Sequence, residues 1–329
     1  MTTRKAIVTG CPGQDASYLC ELLLDKGYTV YGVSRRSTRE NDNMIFCERS
    51  RNFKKVTLDI TDGSGISNLV EEVRPHEYYN LAAMSHVGQS FKEPTSTLMV
   101  DGYAVTAALV AIKKYAPSCR FYQASTSELF GRVKHGQVLN EESTFAPRSP
   151  YAAAKLYAHN MVKIYREGYD LHASCGILFN HESERRGLNF VTRKITDGVA
   201  RVKCGHQPYV QLGNIDAYRD WGHARDYVEG MWLMLQQDQP DDYVLATNQS
   251  VSVRTALEYV CGLAELDIEK VYKINPEFMR PADVPYLRGD YTKAKNKLGW
   301  EPKDNWEDLL EAMYRHDFKK ASREVYTYR

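Results

Sequence analysis

Apolar and polar positions along the first half of the chain follow two periods in turn. KAIVTG is a short apolar run of strand length. SYLCELLLDKGY after it has the helical period and stops at Gly27. The succession continues with TVYGVSR and KKVTLDI as strands, ISNLVEEVR as a helix and EYYNLAA as a strand. VTAALVAIKKYA then reads as a helix and CRFYQAS as a fifth strand. Strands that alternate with helices predict a parallel sheet covered on both faces. Right-handed crossovers make this an α/β fold with a doubly wound parallel sheet. Residues 36 to 52, RSTRENDNMIFCERSRN, show no clear period and predict a long loop.

SPYAAAKLYAHNMVKIYRE, residues 149 to 167, reads as a long helix. Ser149 suits the N-cap and Pro150 the first helical position. After residue 176 the pattern turns irregular and rich in polar and aromatic residues. RDYVEGMWLMLQQ, SVRTALEYVCGLAEL and EDLLEAMYRHDFKKA read as helices there, and DDYVLAT as a strand. The expected organisation is a dinucleotide-binding domain over 1–176 and a smaller α/β substrate lobe over 177–329. Segments around 220–248 are expected to return to the first domain.

Composition narrows the partners. The 329 residues carry a formal net charge of +1, which is not the footprint of a nucleic-acid binder. No apolar run approaches the roughly 20 residues of a membrane span, and MTTRKAIVTG enters a strand without a signal-peptide core. The seven cysteines are scattered, without a C-x-x-C pair, and read as free thiols of a reducing cytoplasm. Histidines and cysteines lack zinc-ligand spacing, so no metal is expected.

The candidate chemistry begins at VTGCPGQDAS. Gly10 and Gly13 stand between the first strand and the first helix. There a tight turn and a free helix N-terminus suit a pyrophosphate. Ala16 is small enough for close helix–strand packing. The second strand ends in VSRRST. Where an acid would hold a ribose 2′-hydroxyl, Arg35 and Arg36 stand instead with Ser37, which suits a 2′-phosphate and predicts NADP. Asp59 and Ile60 end the third strand near the expected adenine. Ala82 and Ala83 in LAAMS are small enough for the cofactor to approach the backbone.

Tyr151 and Lys155 share one face of the 149–167 helix. A lysine ammonium one turn away favours a phenolate over its usual pKa of about 10. The fifth strand ends in ASTSELFG, at the sheet edge where ligands bind. Thr126 can hydrogen-bond a substrate oxygen there, and Glu128 offers a carboxylate. Together they form a set for moving a hydride and a proton between an alcohol carbon and NADP.

These stretches resemble the extended short-chain dehydrogenases/reductases, and within them the GDP-mannose 4,6-dehydratase family. TGCPGQDASYL, YNLAAMSHVGQSF, FYQASTSELFG, PRSPYAAAKLYAH, GILFNHESERRG, FVTRKIT, LGNIDAYRDWGHARDYVE and RPADV carry the resemblance over nearly the whole length. It implies catalytic positions at Thr126, Glu128, Tyr151 and Lys155. It implies cofactor contacts at Gly10, Gly13, Gln14, Asp15, Arg35, Arg36, Asp59, Ile60, Leu81, Ala83, Tyr151, Lys155, His181 and Arg186. It implies nucleotide-sugar contacts at Ser85, Thr126, Glu128, Tyr151, Asn180, Val191, Lys194, Leu212, Gly213, Arg219 and Arg280. The expected substrate is GDP-mannose or a related GDP-sugar, and the expected assembly is a homodimer or homotetramer. The chain departs from the family's usual residues at Pro12, Ala16, Met84 and Tyr218. It also departs over 38–55, a region that in relatives helps reach a neighbouring subunit's cofactor.

The resemblance implies oxidation at C4 with Tyr151 taking the hydroxyl proton. Glu128 then takes the C5 proton, which the new ketone acidifies. Water leaves across C5 and C6, hydride returns to C6, and the product is GDP-4-dehydro-6-deoxy-mannose. Three other readings share the scaffold. A 4-keto sugar-nucleotide reductase would not need Glu128. A GDP-manno-heptose 4,6-dehydratase would share nearly every motif. An NADP-binding sensor or inactive subunit would have no need of Tyr151, Lys155 and Glu128 together.

Overall fold

The structure, a computed structural model, describes residues 3–35 and 42–324. Its centre is a sheet of seven strands. Six are Lys5–Thr9 (β1), Thr29–Ser34 (β2), Phe53–Thr57 (β3), Glu77–Asn80 (β4), Arg120–Thr126 (β5) and Ala173–Leu178 (β6), and the seventh is Tyr243–Leu245. The seventh strand lies beside β6, and the order then runs β6, β5, β4, β1, β2, β3, with every pair parallel. From β1 the chain winds outward to β2 and β3, then returns and winds the other way from β4. The direction reverses between β1 and β4, which opens a crevice at their carboxyl ends.

The inner strands are largely buried because both faces of the sheet are covered, whereas the edge strand β3 leaves Lys54 and Lys55 exposed. All six residues of β6 are buried. On one face the first helix, Gln14–Asp25, packs Leu19, Cys20 and Leu23 against the Ala224–Met234 helix. On the other face the helices Gly63–Val73, Ala104–Tyr115 and Pro150–Tyr169 bury a second cluster. Residue 177, where the lobe boundary was drawn, lies inside β6. The smaller lobe has its own core between the helices Val191–Lys203, Val253–Leu263 and Trp306–Glu324. A buried ion pair joins two of them. Arg193 donates to both carboxylate oxygens of Asp317 at 3.1 and 2.7 Å, and Thr196 Oγ1 adds a third bond at 2.7 Å.

Three elements differ from the sequence reading. Within the expected long loop, Asp42–Met44 forms a 3₁₀ turn and Ile45–Glu48 a turn of helix. The apolar run MIFC explains this, because Met44 and Cys47 bury against the first helix. Residues 36–41 lie outside the described residues. The Val191–Lys203 helix went unread. Its β-branched residues and Gly198 are poor helix formers, but Ile195 and Val199 are one turn apart and buried. The helix read from VTAALVAIKKYA starts earlier, at Pro94, and passes through a π turn at Met99–Tyr103 before Ala104. That continuous Pro94–Tyr115 helix is long and apolar enough to cross a membrane by length and composition, so the expectation of no such run is revised. Half of its apolar window is buried within the fold, and it packs against the Gly63–Val73 and Pro150–Tyr169 helices. This packing is that of a core helix.

Candidate active site

The crevice opens into one cavity of about 1230 Å³ between the sheet edge and the smaller lobe. Every site residue expected from the sequence lines it, except Arg36, which lies outside the described residues.

At the phosphate loop, Gly10 has φ +85°, a left-handed conformation, and a Cβ there would come within 2.8 Å of Ala82 N. Only glycine satisfies both conditions. Gly13 caps the first helix without a side-chain bond, and the Gly13 N–H is taken by Gly10 O at 2.7 Å. Helical bonding starts with Ser17 N to Gly13 O, so the N–H groups of Gln14, Asp15 and Ala16 have no helical acceptor. Those three, with the helix dipole, form a cradle fit for a diphosphate. The N–H that Pro12 lacks is not one of them.

Asp15 stands in that first turn and is paired. His181 Nε2 donates to Asp15 Oδ2 at 2.8 Å, and His181 Nδ1 donates to the Phe179 carbonyl at 2.8 Å. Both ring nitrogens face acceptors, so the imidazolium is the form that fits. Burial lowers the His181 pKa, but the Asp15 charge and hydrogen bond outweigh it and the net shift is upward. Burial likewise raises Asp15, and His181 with Arg186 brings it below the usual carboxylate range. Gln14 ties the pair to the smaller lobe, donating to His181 O at 3.1 Å and accepting from Ser183 Oγ at 2.8 Å. Arg186 Nε lies 3.1 Å from Glu182 Oε2.

Further along the crevice, Arg35 directly follows β2 and lines the cavity wall. Asp59 accepts from Thr61 N at 2.9 Å and Thr61 Oγ1 at 2.8 Å, bonds that hold its carboxyl low. Thr9 Oγ1 accepts the N–H groups of Leu81 and Ala82, both at 3.1 Å, and fixes the small-residue stretch after β4. Ile60, Ala83 and Ser85 complete this wall.

Ser149 caps the Pro150–Tyr169 helix, accepting Ala152 N–H at 3.1 Å, which fixes the turn that carries Tyr151 and Lys155. Both side chains are buried at the crevice. Lys155 Nζ donates to Ala124 O at 3.0 Å and lies 5.9 Å from the centre of the Tyr151 ring. The expected lowering of the phenol by Lys155 is not what dominates. Burial, then the charge of Asp101, pushes Tyr151 well above its usual range, and a hydrogen bond with Thr126 opposes them. Thr126 ends β5, and its Oγ1 accepts Glu128 N–H at 3.2 Å, which starts the 3₁₀ turn that turns Glu128 into the same cavity.

The smaller lobe brings cations. Arg280 Nη1 lies 3.6 Å from Glu128 Oε1, and Arg219, buried, donates to Tyr218 O at 2.8 Å. Lys194 Nζ sits 3.6 Å over the Phe278 ring, with its pKa lowered by burial. Gly213 lets two backbones meet, since a Cβ would come within 2.8 Å of Phe278 O. Val191 opens a helix whose N-cap, Phe190, makes no side-chain bond, and Val191 lines the cavity with Leu212. Asn180 Oδ1 is buried without a partner among the described residues. The Tyr218 ring is directed elsewhere, against His135 and Tyr286.

Sequence reasoning missed His86 and Phe278 in the cavity wall, and Asp101 behind it. His86 accepts Gln89 N–H at 3.0 Å; burial first, then Arg280 and Lys194, keeps its pKa down. Nothing in the local pattern marks an N-cap histidine as cavity-facing. Elsewhere, ligand-type atoms of His159, Cys175 and Asp242 lie within 4.8 Å of one another. Arg166 occupies both oxygens of Asp242 at 2.9 and 2.8 Å, a positive charge that repels a cation.

The family described as GDP-mannose 4,6 dehydratase matches residues 7–313. The GDP-mannose 4,6-dehydratase of Sinorhizobium fredii (strain HH103) is 47% identical over 343 residues, covering 96% of this chain and 97% of its own. Among solved structures, UDP-glucose 4-epimerase of Thermotoga maritima, with UDP-glucose, superposes with a TM-score of 0.85 at 24% identity, covering 96% of this chain and 99% of its own. The dTDP-glucose 4,6-dehydratase of Bacillus anthracis, in complex with NAD, gives 0.84 at 20% identity over 96% and 97% of the two chains. These last two share the fold.

Proposed function

Because the chain belongs to the GDP-mannose 4,6-dehydratase family, we propose that Tyr151, Lys155, Thr126 and Glu128 carry its reaction in the crevice between the lobes. The enzyme is a lyase that dehydrates GDP-mannose. The observation that carries the residue assignment is convergence. Four groups from β5, the turn after it and the capped helix meet beside a diphosphate cradle in one cavity.

The cofactor in this reading is a nicotinamide dinucleotide, held at the Gly10–Gly13 turn and the first-turn N–H groups. We read it as NADP, because Arg35 and its neighbour Arg36 stand where a 2′-phosphate would lie. When bound, the group would supply reversible hydride storage, for the oxidation at C4 and the reduction at C6. Tyr151, as the phenolate that the Lys155 ammonium favours, receives the C4 hydroxyl proton as that carbon becomes a ketone. Thr126, which ends β5 in the same cavity, polarises the C4 oxygen. The ketone acidifies C5–H, and Glu128 takes that proton. Water leaves across C5 and C6, a proton returns to C5, and the product is GDP-4-dehydro-6-deoxy-mannose. Lys194, Arg219 and Arg280 supply three cations for the substrate's diphosphate, and Asn180 Oδ1 supplies an acceptor.

The assembly we infer is a homo-oligomer. Leu98, Met99, Tyr103 and Val110 on the Pro94–Tyr115 helix are exposed, as are Tyr157, Ile164 and Tyr169 on the adjacent helix. A second copy would cover them. The seven cysteines, all free, fit a reducing compartment, and we assign the enzyme to the cytoplasm. Incubation with GDP-mannose, with and without added NADP, tests the function. Mass measurement should show the loss of one water from the sugar nucleotide. An unchanged mass in both arms overturns the reading.

A further inference from the structure

Asp101 has no part in the scheme so far. It sits in the π turn of the Pro94–Tyr115 helix, fully buried. A π turn inserts one extra residue into a helix and often lies at functional sites. One carboxylate oxygen, Oδ1, accepts the Met84 N–H at 2.8 Å, behind the cavity wall. The other, Oδ2, is buried and has no hydrogen-bond partner among the described residues. The π turn packs against the Pro150–Tyr169 helix, where a Cβ on Gly102 would lie 3.7 Å from Ala154 O, next to Lys155. Lys155 is also buried, and its ammonium spends one of three donors on Ala124 O. Among the described residues Lys155 has no direct carboxylate partner, and the buried carboxylate of the turn packed on its helix is Asp101.

We propose that Asp101 is a positioning residue of the reaction, the buried counter-charge that keeps Lys155 an ammonium beside Tyr151. The proposal rests on the reading of Tyr151 and Lys155 as the proton-transfer pair. A lysine buried in an apolar crevice tends to give up its proton, and a carboxylate buried alone tends to take one. Each group opposes that tendency in the other. Burial lowers Lys155 and Asp101 raises it; burial raises Asp101, and Lys155 with the Met84 N–H lowers it.

The other groups facing this set do not supply the charge. Lys155 also faces Cys175, a thiol that burial raises far enough to stay neutral. Tyr151 faces Asp101, Thr126, Glu128 and Arg186. Asp101 acts on both members of the pair, whereas Glu128 and Arg186 act on Tyr151.

Electrostatics fixes the sign of the test. Removing one negative charge makes every nearby group easier to deprotonate. Asp101→Asn keeps the shape and can still accept the Met84 N–H. Tyr151 should then lose its proton at lower pH, and so should Lys155. The bell of kcat/KM against pH should move bodily toward acid, both limbs by about one pH unit. A role in packing alone would lower the rate and leave both limbs in place, and that result overturns the proposal.

A second readout needs neither cofactor nor turnover. In the cofactor-free chain with ¹³C-labelled lysines, the Lys155 resonance, assigned with Lys155→Arg, should titrate as an ammonium at neutral pH. Its midpoint should fall in Asp101→Asn. A neutral Lys155 at pH 7 in the wild-type chain overturns the proposal even if the variant fails to fold. Tyr151→Phe separates the two readings. If that variant still turns over, the proton-transfer assignment fails, while the lysine titration still reports on Asp101.

Discussion

Arg280 Nη1 lies 3.6 Å from Glu128 Oε1, so the proposed C5 base and a proposed diphosphate cation are paired with each other. Asp283 Oδ1 lies 3.8 Å from Arg280 Nη1 and 3.8 Å from Arg219 Nη2. These are loose contacts, longer than a bidentate bond. In the proposed reading, a diphosphate in the cavity would offer both arginines a better partner and would draw Arg280 from Glu128.

Arg280→Gln should therefore weaken substrate binding. Charge-assisted hydrogen bonds contribute about 1.5–3 kcal/mol each, so KM for GDP-mannose should rise about ten- to hundred-fold. NADP affinity should not change, because Arg280 is among the proposed nucleotide-sugar contacts and not the cofactor contacts. Arg219→Ala should behave alike. Steady-state kinetics and cofactor titration check both, and an unchanged KM counts against the diphosphate assignment.

The Arg35→Ala/Arg36→Ala double variant should lose NADP affinity far more than NAD affinity, at about 1.5–3 kcal/mol per bond actually made. Fluorescence titration with the two dinucleotides decides it. Equal binding of both by the wild-type chain would sink the NADP reading.

The Asp15–His181 pair gives a pH-dependent stability. The folded pKa of His181 is raised, so its contribution is complete below the unfolded value of about 6.5 and is lost as pH rises through the folded value. The folded pKa of Asp15 is lowered, so its contribution is complete above about 3.9 and is lost as pH falls through the folded value. The pair stabilises most between those limits. His181→Gln should lower Tm most near pH 5–6, with the gap to wild type narrowing as pH rises into the alkaline range. A gap that is constant with pH would mean that the imidazole acts through packing alone.

The parts of this site that physics makes legible in sequence are those set by local geometry. Tyr151 and Lys155 are one helical turn apart whatever surrounds them. Gly10 is marked by the strand–turn–helix context, and the alternating periods carry the sheet. Asn180, Lys194 and Arg280 were reached only by resemblance, because their meeting depends on how the smaller lobe folds back over the crevice. Asp101 was hidden for another reason. In the sequence it is one polar residue in a helix, and only the π turn directs its carboxylate inward. The direction of the Tyr151 shift was misread for the same cause, since burial and Asp101 are both tertiary facts.

Removing the two proposed bases should halt the cycle at different points. Tyr151→Phe keeps the ring in its buried site and loses only the phenolic oxygen. Without a group to take the C4 hydroxyl proton, C4 stays an alcohol, and no reduced nicotinamide should appear even in a single turnover with NADP and GDP-mannose. Glu128→Gln keeps the shape of the turn after β5 and loses the C5 base. C4 should still be oxidised, but C5 keeps its proton and water cannot leave. That variant should accumulate reduced nicotinamide and a 4-keto-hexose nucleotide of undiminished water content. Positioned acid–base groups contribute about 10²–10⁴-fold, so each loss is easily measured. Absorbance of the reduced cofactor and the mass of the bound sugar separate the two. If Glu128→Gln shows no reduced cofactor while Tyr151→Phe accumulates it, the two roles are assigned the wrong way round. The 3.6 Å contact between Glu128 and Arg280 would then be an ion pair of the fold and not a base held in reserve.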